Sequence, residues 1–162
     1  MSLDVRQLLE RVVRPALTGL GPGMASEAAI RLVLGTGAVE SGYRALAQYG
    51  GGPALGLWQM EAATHRDIWT NFLAHRPALR GRVLALAGTT TPPPADLLIY
   101  HLRYAAALCR VHYLRDPAPL PDPHNLRALA ETWKRHYNTR LGAGTIAQFE
   151  AAWFRLVRPI LQ

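Results

Sequence analysis

The chain has 162 residues, 49% of them hydrophobic and 18% charged, which excludes a disordered chain, since such chains lack the apolar surface to offset their ordering entropy. It is long enough to bury about two-thirds of its unfolded surface without a metal or a disulfide, so residues 1–162 read as a single domain. Eighteen cations face eleven acids for a net charge of +7, and every cation except Lys134 is an arginine.

That charge attracts polyanions: nucleic acid, an anionic membrane face, or an anionic cell-wall polymer. The arginines are scattered, with no run of four and no recognisable nucleic-acid motif, so no specific nucleic-acid partner is expected. No apolar run approaches the roughly 18 residues of a membrane span, so a membrane-integral protein is not expected either. The opening Met1-Ser2-Leu3-Asp4 carries an acid and no cationic flank. No secretory signal peptide is expected there, and synthesis in a cytoplasm is.

Apolar spacing predicts helix almost throughout. Leu8, Leu9, Val12, Val13 and Leu17 form a stripe with helical period, bent at Pro15 and ended by Gly19 to Gly23. Ser26 is placed to cap a second helix that runs through Ile30, Leu32, Val33 and Leu34 to Glu40. Three consecutive glycines, Gly50 to Gly52, mark a loop, and a minimal hairpin is admitted around residues 43–57. Thr64 is the expected cap of the next helix, with Ile68, Trp69, Phe72 and Leu73 on one face.

Pro77 suits the first position of a short helix that ends at Gly88. After the stiff Thr89–Pro94 linker comes the longest predicted helix, residues 95–115, apolar around most of its circumference and therefore central. Asp122 and Pro123 are the expected cap and first turn of a segment ending at Tyr137, and Thr145 with Gln148 has capping-box spacing ahead of a terminal helix. The prediction is a mainly α fold of about seven helices around the 95–115 helix.

One feature does not follow from packing. Glu40-Ser41-Gly42 puts a carboxylate at the end of an apolar helix, where the negative end of the dipole disfavours it. Held against apolar walls beside a cleft, such a group has its pKa raised, which suits a general acid. Sixteen residues after Glu40-Ser41 comes Gly56-Leu57-Trp58-Gln59, then Met60 to Thr64, and much later Tyr137-Asn138-Thr139.

In order and spacing these motifs resemble the lysozyme-like superfamily, in its soluble-lytic-transglycosylase and goose-type-lysozyme branch, over roughly residues 28–140. The family reads E-S, G-L-M-Q with a following A-T, and Y-N-A-G. Here Trp58 stands where Met is usual, and Thr139 and Arg140 replace Ala-Gly. The resemblance implies a lysozyme-like fold, no cofactor, and cleavage of the β-1,4 bond between N-acetylmuramic acid and N-acetylglucosamine in peptidoglycan glycan strands. It suggests a phage-derived member, either an endolysin reaching the wall through a holin or a virion-borne lysin with virion or tail proteins as partners.

It also implies roles by position. Glu40 is the expected general acid and then base; with one carboxylate it closes a 1,6-anhydro ring, as in a lytic transglycosylase. A hydrolytic lysozyme instead needs water activated, normally by a second carboxylate, for which Glu61 and Asp67 are the candidates. Asp67 is equally suited to a first helical turn. Gln59 and Ser41 resemble the family's cleft glutamine and the hydroxyl beside the acid. Tyr137 is expected to hydrogen-bond Glu40 or the substrate, Asn138 to shape the loop, and Trp58 to stack on a sugar, with Tyr43, Tyr49 and Tyr100 as further groove candidates.

The six histidines show no paired ligand spacing with Cys109, so no metal is expected. Rival readings are a structural virion or tail protein with weak or lost catalysis, a basic nucleic-acid-binding helical domain, and chitin cleavage.

Overall fold

The computed structural model describes residues 1–138 and 142–162. The replacements at Thr139 and Arg140 lie outside the described residues. The fold is mainly helical with one two-stranded sheet. Its helices are α1 (Val5–Leu8), α2 (Arg14–Gly19), α3 (Glu27–Glu40), α4 (Ala62–Asn71), α5 (Pro77–Ala87), α6 (Leu97–Tyr100), α7 (Leu102–Leu114), α8 (Leu126–Thr132) and α9 (Ile146–Ala152). Wider π-helical turns join α1 to α2 (Leu9–Val13) and extend α8 (Trp133–Asn138) and α9 (Trp153–Val157).

Pro15 explains the first of these turns. It has no N–H to give the carbonyl of Arg11, and the Nε of Arg103 on α7 fills that acceptor instead at 3.0 Å. Ser26 caps α3 through a bond from Ala29 N, and Thr145 with Gln148 makes the expected capping box on α9. Pro77 opens α5, and Gly88 closes it in the left-handed conformation.

Several expectations need correction. The predicted 95–115 helix is two helices, because His101 is non-helical and its ring Nδ1 accepts a bond from Tyr104 N as the cap of α7. Thr64 lies inside α4, whose cap position is Glu61 with no side-chain bond. Asp122 accepts from His124 N in a turn, and Asn125 caps α8 through Ala128 N. The strands pair later than expected: β1 (Ala54–Leu55) runs antiparallel to β2 (Met60–Glu61), with a single bridge from Ala47 to Leu55.

Two helices are wrapped by the rest. In α3 all residues from Leu32 to Ala38 are buried, and in α7 all from Tyr104 to Val111. Thr36 on α3 and Tyr113 on α7 share a 2.7 Å hydroxyl bond between them. On the far side of α7, Tyr104 accepts from Trp69 Nε1 at 2.9 Å and lies 2.8 Å from His65 Nε2, which ties α4 in place. Burial keeps the His65 imidazole neutral, its pKa pushed down to about 4.

The backbone of α3 also anchors the loop that follows it. Three successive carbonyls accept side-chain donors: Leu32 from Thr36 (2.7 Å), Val33 from Trp58 Nε1 (2.9 Å) and Leu34 from the Tyr43 hydroxyl (2.7 Å). This close docking needs small residues on α3. A Cβ on Gly37 would stand 2.5 Å from the Tyr43 ring, whereas one on Gly81 in α5 would meet nothing within 4 Å. Gly37→Ala is therefore expected to destabilise the protein by about 1–3 kcal/mol. Gly81→Ala should stabilise it by about 0.5–1 kcal/mol. Urea unfolding of both variants checks the contrast, and equal effects would mean that α3 is not the tightly packed element.

Candidate active site

Glu40 is the last residue of α3, half-buried between two cavities. Its carboxylate accepts one protein hydrogen bond among the described residues, from Trp133 Nε1 at 2.9 Å. Burial raises its pKa from the ordinary carboxylic value to about 7, and the Trp133 bond holds back part of that rise. Trp133 is itself buried and stacked at a tilt against Phe149, so the donor is fixed. Gly144 lies over that indole, where any Cβ would collide with Trp133 and with the Asn138 amide.

The first cavity, a cleft of about 620 Å³, brings together Glu40, Tyr49, Gln59, Glu61, Tyr137 and Asn138, with Thr64 and His112 also in its wall. These come from five separate stretches of chain. Gln59 sits in the left-handed region (φ 48°), three residues after Gly56, whose missing Cβ lets the loop press against the Leu98 carbonyl. A non-glycine residue held there carries backbone strain. Its amide nitrogen donates to the Gly56 carbonyl at 2.8 Å, which leaves the amide oxygen as an acceptor for a ligand. Tyr49 is 79% exposed at the cleft rim, an aromatic face open to solvent.

Tyr137 does not hold Glu40. Its hydroxyl donates to the Trp58 carbonyl at 2.6 Å and pins the loop. Asn138 is in the cleft wall, and Lys134 Nζ bonds both its Oδ1 and the Gly142 carbonyl at 2.8 Å.

Three expected site residues are not available to a ligand in this cleft. Trp58 is 1% exposed, packed edge-on against Tyr43, and cannot stack on a sugar; it is a core residue that spans α3 and the loop. The Ser41 hydroxyl donates to the Leu57 carbonyl at 2.7 Å and accepts from Tyr43 N at 3.1 Å, so it is used up by the backbone of the loop. Asp67 lies past the first turn of α4, bonded to Asn71 and paired with Arg115, which together hold its carboxyl below its usual range. It is outside the cleft wall, whereas Glu61 is in it. Tyr43 is buried, and Tyr100 is exposed away from the cleft.

Two residues escaped the sequence reading. Trp133 is one helical turn before Tyr137, a spacing that puts both on one face and that was available as a signal. His112 faces the cleft from the apolar helix α7, with nothing in its spacing to distinguish it from a core residue. Its Nδ1 is buried without a partner, and burial keeps the ring neutral, its pKa pushed down to about 3.

Among the described residues, no group of three or more His, Cys, Asp and Glu could hold a metal ion, and no helix is long and apolar enough to cross a membrane. No protein-family model, curated protein or solved structure matches the chain.

A carboxyl with its pKa near 7 has a stability signature. The native state keeps a proton that an unfolded glutamate releases, so this contribution is complete below the unfolded value and is lost as pH rises through about 7. Glu40→Gln keeps an acceptor for Trp133 and removes the buried charge. It should raise unfolding stability by about 1–3 kcal/mol at about pH 8 and leave it nearly unchanged at about pH 4. Thermal melts at the two pH values measure the difference; an offset that does not depend on pH would mean that the carboxyl titrates normally.

Proposed function

We propose that the protein is a peptidoglycan-degrading glycosidase that cleaves the β-1,4 bond between N-acetylmuramic acid and N-acetylglucosamine, with Glu40 as general acid and then base. The observation that carries this reading is a desolvated carboxyl, protonated near neutral pH, in the wall of a cleft large enough for sugars. Glycosidic cleavage needs a proton delivered to the leaving oxygen as positive charge develops on the sugar ring. Glu40 has that proton, and the bond from Trp133 orients the carboxyl.

Once ionised, Glu40 takes the proton from the muramic acid 6-hydroxyl as that oxygen closes onto the anomeric carbon, which gives the 1,6-anhydro product of a lytic transglycosylase. The one-carboxylate route fits the engagement of Asp67 with Arg115. Glu61 shares the cleft, and this favours a hydrolytic lysozyme as the second reading, with Glu61 activating water. The Gln59 amide oxygen serves as an acceptor for the sugars, and Tyr49 offers an aromatic face at the rim. An enzyme acting on the wall is carried there by a holin-dependent route or with a virion.

Turbidity loss of permeabilised bacterial cells tests the acid. Glu40→Gln should lose roughly 10²- to 10⁴-fold in rate; equal lysis by both proteins would refute the role given to Glu40, and lysis by neither would favour a structural virion or tail component. Activity should fall as pH rises above about 7, where Glu40 loses its proton. Trp133→Phe removes the bond that lowers this pKa and should move the alkaline limb to higher pH. Mass spectrometry of the released muropeptides decides the product: anhydro-muramic ends support the transglycosylase, and reducing ends with one added water support the lysozyme.

A further inference from the structure

The site does not end at Glu40. A second cavity of about 490 Å³ lies on its other side, and Glu40 and Asn138 belong to the walls of both. It continues past Gly42, Arg44 and Arg155 into a third, shallower depression whose wall shares those three residues. Glu40 thus stands where the cleft adjoins the second cavity, and the two arginines where that cavity adjoins the third.

The two arms differ in charge. The arm with Tyr49 and Gln59 has Glu61 in its wall and no cation among the described residues, whereas the other has Arg44 and Arg155 and no acid besides Glu40. Arg44 comes from the loop after α3 and Arg155 from the π-helical turn after α9, so the fold brings together cations 111 positions apart in the chain. Both are exposed, and among the described residues neither pairs with an acid. The Arg44 side chain lies across Gly42, whose φ of 58° turns the chain there.

We infer that the Arg44–Arg155 arm is a subsite for the carboxylates of the peptide stem carried by the muramoyl residue, which makes the enzyme selective for peptide-bearing over uncharged glycan. The inference rests on the glycosidase reading. In peptidoglycan the muramoyl lactyl carboxyl is taken up in the amide to the peptide, so the sugars themselves are uncharged there and two guanidinium groups in the neighbouring wall contribute nothing to holding them. A muramoyl peptide adds planar carboxylates a few ångströms from the glycan, the group that a guanidinium binds best. The acid-walled arm, with no cation among the described residues, suits the neutral sugars.

The test compares peptide-bearing strands with strands stripped by an amidase and then amidated at the lactyl carboxyls so freed, for the wild type, Arg44→Gln, Arg155→Gln and the double variant. Arg66→Gln, in a separate cavity, controls for net charge. On peptide-bearing strands each groove variant should raise KM about fivefold with kcat little changed. The double variant should cleave both substrates alike, and Arg66→Gln should match the wild type. Equal efficiency of the wild type on both substrates, or equal loss in Arg66→Gln, would overturn the inference. Tryptophan-fluorescence titration with a muramyl tetrapeptide, against an N-acetylglucosamine oligomer, provides a readout without turnover. If the wild type cleaves neither substrate yet binds the muramyl peptide through these arginines, the glycosidase reading fails and the subsite stands; if the groove variants bind it as the wild type does, the subsite fails.

Discussion

Glu40 is held by opposed forces, of which desolvation is the larger. Its position at the C-terminal end of α3 and its apolar surroundings both favour the protonated carboxyl, while the Trp133 N–H favours the anion. With burial alone the group would stay protonated and could not act as a base; with more donors it would be an ordinary anion and no acid. A single fixed indole donor leaves it between these limits, and so the packing of Trp133 under Gly144 and against Phe149 reaches the chemistry of the carboxyl.

The rest of the fold serves to keep that geometry rigid. Aromatic polar groups are spent on backbone carbonyls: Tyr43 and Trp58 on α3, and Tyr137 on the Trp58 carbonyl. Each bond satisfies a buried donor and at the same time fixes how the 41–61 loop lies on the helix. The strained Gln59 and the close approach of Gly56 to Leu98 follow from this docking. A cleft with fixed walls can present its polar groups without reorganising when a ligand enters.

Charge is arranged on the same scaffold at lower cost. The arginines of the groove are exposed, so they retain hydration and add reach rather than stability. The acid does the opposite and gives up stability above neutral pH for a pKa suited to proton transfer. Its replacement by an uncharged isostere exchanges one property for the other, as is common where function requires a strained or desolvated group.

Much of the fold was legible in the chain because helices announce themselves locally. The Ser26 cap, Pro77, Gly88 and the Thr145–Gln148 box act within one or two turns, and they bounded α3, α5 and α9 as expected. Glu40 stood out for a similar reason, as a carboxylate ending an apolar run. What could not be read locally was decided by contacts between distant segments. The His101 break depends on a ring that caps its own helix. The burial of Trp58 depends on α3, the withdrawal of Asp67 on Arg115, and the pKa of Glu40 on an indole 93 positions away. Caps and periodicity are properties of neighbours along the chain, whereas desolvation and pairing belong to whatever the folded chain brings alongside.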